Sequence, residues 1–212
     1  MFDFWREMAR KRGLAGLYLV AMKQYEFPVP EVLRYFDATV QFQPFEAIYS
    51  PDFEGTVLET SKAVALLRRL PENVQDLLRT IRYKYFDGLT FYDYDMVWKQ
   101  ILKVEREGGI PTFPGAFVDW DNTARYVKRA RIFRSATPER FAFWLRQLVQ
   151  VTARRPAQEQ FIFLNAWNEW AEAAYLEPDE RHGYRYLEAL RESLSDAPGI
   201  RGATTSTALA ER

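Results

Sequence analysis

The sequence predicts an α/β fold of about four βα units with parallel strands. Two observations carry this: apolar runs of strand length are continuous rather than alternating, and segments with helical periodicity separate them. A third observation fixes where a ligand would sit. Each run leads into a polar, aromatic or proline-containing loop, and in parallel α/β folds the loops at the carboxyl ends of strands bind ligands.

In chain order, residues 2–12 place Phe2, Trp5 and Ala9 among charges at helical spacing, and Gly13 reads as the helix stop. Leu14 to Met22 is then a nearly continuous apolar run, read as a buried strand. Ala38 to Phe45, rich in β-branched and aromatic residues around Pro44, is read as the second strand and its exit. A long connection follows, with helical patterns over 61–70 and 73–83 broken by Pro71. A further helix is expected over 92–106 through Tyr94, Val97, Ile101 and Val104, closed by Gly108 and Gly109.

Thr112 to Val118 resembles a strand carrying Pro114 and Gly115, with Asp119 to Thr123 as its polar exit. Thr137 is placed to cap a helix that has Pro138 at its first position and runs to about Ala153. Residues 160–166 read as the last strand, with Phe161 to Leu164 buried on both faces, and 184–194 as the closing helix. One domain over 1–195 is expected, followed by a disordered tail over 196–212, which is small, polar and without a period.

At 212 residues the chain is long enough for one sizeable core. Its 29 basic residues cancel its 29 acidic ones, so overall charge does not point to nucleic acid or an anionic membrane surface. The absence of cysteine excludes disulfides and thiolate metal sites, and the lone His182 argues against a multi-histidine metal site. No metal or other cofactor is expected. No segment approaches the roughly 18 uninterrupted apolar residues of a membrane span, and the start lacks the pattern of a signal peptide, so a cytoplasmic location is expected.

Aromatic residues make up 16% of the chain, including six tryptophans. Not all of the tryptophans stand where a core would want them: Trp167 and Trp170 lie in Asn165-Ala166-Trp167-Asn168-Glu169-Trp170-Ala171-Glu172, just past the last strand. Three residues of separation can bring Glu169 and Glu172 to one side of a turn. Two carboxyl groups held close together do not ionise independently, so one is held as an acid while the other serves as base or nucleophile. Glycosidases flank the scissile bond with such a pair, about 5 Å apart in retaining enzymes and roughly 6.5 to 9.5 Å in inverting ones. Trp167 and Trp170 offer flat faces for sugar C–H groups, and Asn165 and Asn168 offer amides for hydroxyls. The bland alternative buries the tryptophans in the core and leaves the glutamates solvated or capping.

A second cluster, Trp120, Asp121, Asn122 and Arg125, lies at the exit of the preceding strand, where the Asp and Asn could bind hydroxyls and Arg125 an anionic group. A helix cap by Asp121 or Asn122 is the alternative. Tyr175 and Glu177 join the candidate sugar-binding set; in the stretch Tyr175, Glu177, Pro178 and Asp179 a third acid could tune the first two or bind a hydroxyl, with a loop salt bridge to Arg181 as the alternative. His182, just ahead of Gly183, reads as a surface or helix-start residue, and the aromatic run over 83–95 as packing.

These residues carry a family resemblance. Phe163 to Glu172, then Tyr175-Leu176-Glu177-Pro178-Asp179, Gly183-Tyr184 and Tyr186-Leu187-Glu188-Ala189, resemble the closing motif of the WbsX-type glycosyltransferase family. Trp120 to Arg125 resembles its second signature, and Phe36-Asp37-Ala38 with Phe42-Gln43-Pro44 a weaker one. That family is similar to glycoside hydrolase family 99, endo-acting α-mannosidases folded as (β/α)₈ barrels with a Trp-Asn-Glu-Trp-x-Glu run. The resemblance implies the carboxyl-terminal half of a TIM-like (β/α)₈ barrel, because two further family segments of the amino-terminal half are not found. It also implies that Glu169 acts as base toward a sugar 2-hydroxyl and Glu172 as general acid, then base. The implied role is cleavage or transfer of glycosyl units in O-antigen or other cell-surface polysaccharide biosynthesis, with a glycan as partner. A half barrel is expected to need its missing amino-terminal half or self-association. A catalytically silent remnant or a glycan-binding module is the alternative.

Overall fold

A computed structural model of the chain describes residues 1–24, 29–55, 70, 71, 73, 74, 77, 78, 89–103 and 109–195. The expected helices over 61–70 and 73–83, and the expected tail over 196–212, lie wholly or mostly outside these residues.

Helix α1 (Phe2–Lys11) carries Asp3 in its first turn and Arg10 and Lys11 in its last, which suits the helix dipole. It stops where Gly13 turns left-handed at φ +80°. Asp37, in the weaker of the family-like segments, ties this helix to the sheet. Its carboxylate accepts from Arg6 Nη2 at 2.9 Å and from the Leu19 N–H at 2.7 Å.

Strand β1 (Val20–Lys23) lies parallel to β2 (Ala38–Gln41), Val20 opposite Ala38. The expected strand over 14–22 is therefore shorter and starts later. Only from Val20 on does the run have a neighbour to pair with, and Leu14, Tyr18 and Met22 are exposed. Short helix α2 (Pro30–Leu33) links the two strands. β2 lies between β1 and β4 (Thr112–Phe113), and its Ala38, Thr39 and Val40 are buried, as a central parallel strand requires. Thr39 Oγ1 donates to Thr112 Oγ1 at 3.0 Å across that pairing. Helix α3 (Phe45–Ile48) follows directly.

The run over 112–118 is two strands. Pro114 interrupts the ladder, so β4 pairs with β2 while β5 (Gly115–Phe117) pairs in parallel with β7 (Phe163–Asn165). Gly115 is required at the switch, because a Cβ there would lie 2.0 Å from the Gln41 carbonyl oxygen. β7 is shorter than expected and is not buried on both faces: Phe163 is exposed, as is Phe161 just ahead of the strand.

Two strands escaped the sequence pattern. β3 (Thr90–Asp93) pairs in parallel with β6 (Arg131–Arg134), and Tyr92 stacks on Phe133 across them with centroids 4.9 Å apart. The helix expected from Tyr92 begins instead at Tyr94, because Asp93 ends the strand and caps α4 (Tyr94–Ile101) by accepting from Met96 N. The buried face of α4 is Tyr94, Val97, Trp98 and Ile101, at helical spacing.

Helix α6 (Pro138–Ala153), which follows short α5 (Thr123–Tyr126), starts as anticipated, with Thr137 Oγ1 accepting from Arg140 N. It buries Phe141, Trp144, Leu145 and Leu148 partly against α7 (Arg185–Ser195), where Phe141 meets Tyr186 edge-on. Hairpin strands β8 (Asn168–Glu169) and β9 (Ala174–Tyr175) are antiparallel and complete the described elements. The chain is thus α/β with parallel strands, as expected. Among the described residues the strands form three separate parallel groups and one antiparallel pair, and do not close into a barrel.

Candidate functional site

Two loops that leave neighbouring strands meet at the carboxyl ends of β5 and β7. The first, 118–122, runs between β6 and the β8–β9 hairpin. The Trp120 carbonyl accepts from Phe133 N at 2.9 Å, and Asp121 N donates to the Glu172 carbonyl at 2.9 Å. Asp121 Oδ1 then accepts from Thr123 N, opening α5, on which Arg125 stands.

The second loop leaves β7 through Asn165, whose Nδ2 donates to the Gln43 carbonyl at 2.8 Å. The Trp167 carbonyl accepts from both Leu176 N and Glu177 N, which closes the base of the hairpin. Within it, Trp170–Glu172 form a single 3₁₀ turn, and Ala173 takes a left-handed conformation to re-enter β9. This turn, not an α-helical one, brings Glu169 and Glu172 together.

Arg125 joins them. Its Nη2 lies 2.9 Å from Glu169 Oε1 and its Nη1 lies 3.0 Å from Glu172 Oε1. The two acids differ in setting, with the Glu172 side chain 14% exposed and that of Glu169 36%. Burial pushes the Glu172 carboxyl up from its ordinary value. The Arg125 charge opposes that rise, and the Glu169 charge adds to it.

Trp167 and Trp170 are 55% and 49% exposed, so the alternative that buries them is not realised, although Trp98, Trp120 and Trp144 are core residues. Trp170 stacks on Tyr175 and donates its Nε1–H to Glu177 Oε2 at 2.6 Å. The Tyr175 hydroxyl donates to Asp179 Oδ2 at 2.8 Å. Asn168 is exposed beside them.

The structure places the other candidate residues as follows. Trp120 is 1% exposed and meets Phe45 edge-on, so it is core rather than a stacking surface. Asn122, 2% exposed, accepts from Arg131 N at 2.7 Å and holds β6 in place rather than facing a ligand. Asn122 holds the N-cap position of α5 without a side-chain cap bond, and Asp121 Oδ1 accepts from Thr123 N in a local turn. The anionic groups that Arg125 meets are the carboxylates of Glu169 and Glu172. Tyr175 and Glu177 brace Trp170 instead of standing open. Asp179 accepts from the Tyr175 hydroxyl and from His182 N. His182 sits just ahead of α7, with Nδ1 3.0 Å from Arg185 Nη2.

In the sequence Asp119 reads only as part of a polar strand exit. It is half-buried at the exit of β5 and pushed up to about 6 by burial, with its own loop's Trp120 N–H lowering it and Asp121 raising it. The available signal was an acid between two buried residues, Val118 and Trp120, at a strand end. Among the described residues no group of three or more His, Asp or Glu side chains converges as a metal site would require.

The fold is that of a parallel α/β protein. A solved structure titled glycoside hydrolase-like protein superposes with a TM-score of 0.50 at 16% identity, over 91% of this chain and 48% of that one. The chain belongs to the Glycosyltransferase WbsX family, whose model matches residues 1–190. It is similar to two proteins named uncharacterized protein WxcX from Xanthomonas campestris pv. campestris, one of them from strain B100. The identities are 32% and 31%, over 92% of this chain in each case. The chain spans about a quarter of those relatives' length, 25% of each. No helix among the described residues is long and apolar enough to cross a membrane.

Proposed function

We propose that this chain is a carbohydrate-active domain that cleaves or transfers glycosyl units through Glu169 and Glu172, in O-antigen or other cell-surface polysaccharide biosynthesis. The observation that carries this reading is the pair itself: two carboxylates on one guanidinium, beside two exposed tryptophans, at the carboxyl ends of parallel strands. Glu172, the less exposed and pushed toward its protonated form, suits proton donation to a leaving group. Glu169, more open, suits the base role toward a sugar 2-hydroxyl. Trp167 and the free face of Trp170 supply stacking surfaces, and Asn165, Asn168 and Asp121 supply polar groups for hydroxyls.

The domain is read as the carboxyl-terminal half of a TIM-like barrel working in the cytoplasm. Its open strand groups and exposed Phe161 and Phe163 support completion by an amino-terminal half or by self-association. The exposed Trp167 and Trp170 also support a second reading, a glycan-binding module without turnover. Incubation with α-mannoside and O-antigen oligosaccharides separates the two. Enzymatic function requires turnover that falls in Glu169→Gln and Glu172→Gln; a binding module shows saturable glycan binding that Glu172→Gln leaves unchanged, and no turnover.

A further inference from the structure

We propose that Arg125 is a positioning residue, whose guanidinium fixes the two glutamates relative to one another and makes them act as a coupled pair. The proposal rests on the reading of Glu169 and Glu172 as the reacting acids.

Three observations lead to it. First, the contacts divide evenly: one terminal nitrogen of Arg125 serves each glutamate, 2.9 and 3.0 Å away, and each contact runs through a single carboxylate oxygen, Oε1. Each acid therefore keeps its other oxygen outside the fork, for proton transfer. A guanidinium can do this because its donors are planar and rigidly spaced, whereas a lysine ammonium is a single point charge on a flexible stem. Second, the backbone beneath Arg125 is anchored to the same loop as its targets. Asp121 N bonds the Glu172 carbonyl, Asp121 Oδ1 accepts from Thr123 N, and Arg125 N donates to the Asn122 carbonyl. The fork is thus aimed by α5 rather than by a loose loop. Third, the Arg125 side chain is 46% exposed, so it fills no core volume. Exposed ion pairs add little to folding stability, so a role limited to stability does not account for two aligned contacts to two acids.

Arg125 also acts on the pair electrostatically. Its charge lowers Glu172 while the Glu169 charge and burial raise it. Without the fork, the two acids lose both a common anchor and the charge that moderates their repulsion.

The test compares wild type with Arg125→Met, Arg125→Lys and Arg125→Ala. Carboxyl-carbon NMR follows the titration of Glu172, and oligosaccharide turnover is followed alongside it. In Arg125→Met the Glu172 midpoint moves to higher pH, and turnover falls at least about 10-fold in kcat with KM little changed, as expected for an interaction that matters in the transition state. Arg125→Lys restores the titration in part and turnover poorly, because one ammonium does not reproduce the fork. Guanidinium ion, added to Arg125→Ala at sub-denaturing concentration, shifts both readouts back toward wild type. A Glu172 midpoint identical in wild type and Arg125→Met, or kcat unchanged in Arg125→Met, overturns the proposal. If wild type turns over no glycan, the enzymatic reading fails while the titration still decides whether Arg125 couples the pair.

Discussion

Trp170 lies flat on Tyr175, with ring centroids 3.9 Å apart and planes 15° from parallel. Both rims of the stack are pinned, Trp170 Nε1 on Glu177 and the Tyr175 hydroxyl on Asp179. One indole face is covered and immobilised, and the residue remains half-exposed beside Glu169 and Glu172. A preformed platform of this kind lowers the ordering cost of seating a sugar ring.

Tyr175→Ala should therefore weaken glycan binding by roughly 3- to 10-fold, the range that loss of one aromatic pair supports. Tyr175→Phe, which keeps the stack and loses only the hydroxyl contact, should cost less. Titration of intrinsic tryptophan fluorescence with oligosaccharide measures both. Equal affinities in wild type and Tyr175→Ala would show that the platform does not contribute.

Asp119 should make stability depend on pH. Its carboxyl titrates at about 6 in the fold against 3.8 for the ordinary group, so between those values the folded chain keeps a proton that the unfolded chain has released. The contribution of this group is therefore most favourable at low pH and falls as pH rises through that window. Asp119→Asn should remove this component and raise stability at pH 7 by on the order of 1 to 2 kcal/mol, discounted for partial exposure. Denaturant melts of both proteins across pH 4 to 7 check it. Parallel curves for the two would exclude it.

Gly115→Ala should be severely destabilising. The added methyl group would stand 2.0 Å from the Gln41 carbonyl oxygen, a backbone atom that yields only if β2 and β5 separate. The cost should reach about 3 kcal/mol or more, visible as a lower denaturation midpoint. A midpoint unchanged from wild type would mean the strands are not so closely placed.

What could be read from the sequence was what local chemistry determines. Thr137 and Pro138 announce α6 because a cap and a first-turn proline need no distant partner. The four strand-like runs announce parallel strands through their continuous apolar character, which burial of Ala38 to Val40 in β2 and of Gly115 to Phe117 in β5 explains. β3 and β6 left none: Thr90-Phe91-Tyr92-Asp93 merges into the helix it caps, and Arg131-Ile132-Phe133-Arg134 is half charged. They become strands through each other. The glutamate pair was legible from its motif, but Arg125 as its common partner was not, since 44 and 47 residues separate it from Glu169 and Glu172. The reassignment of Trp120 to the core also waited on the fold, because an aromatic at a strand exit reads the same whether it faces inward or outward.

The most direct test of the central claim is the rate of glycan cleavage or transfer by a full-length family relative with the same glutamate pair, compared with its Glu→Gln variants at the positions of Glu169 and Glu172. Loss of a positioned acid or base should lower kcat by about 10²- to 10⁴-fold in each variant, with the fold intact by circular dichroism. Rates equal to wild type in both variants would contradict the assignment of this pair as the reacting acids.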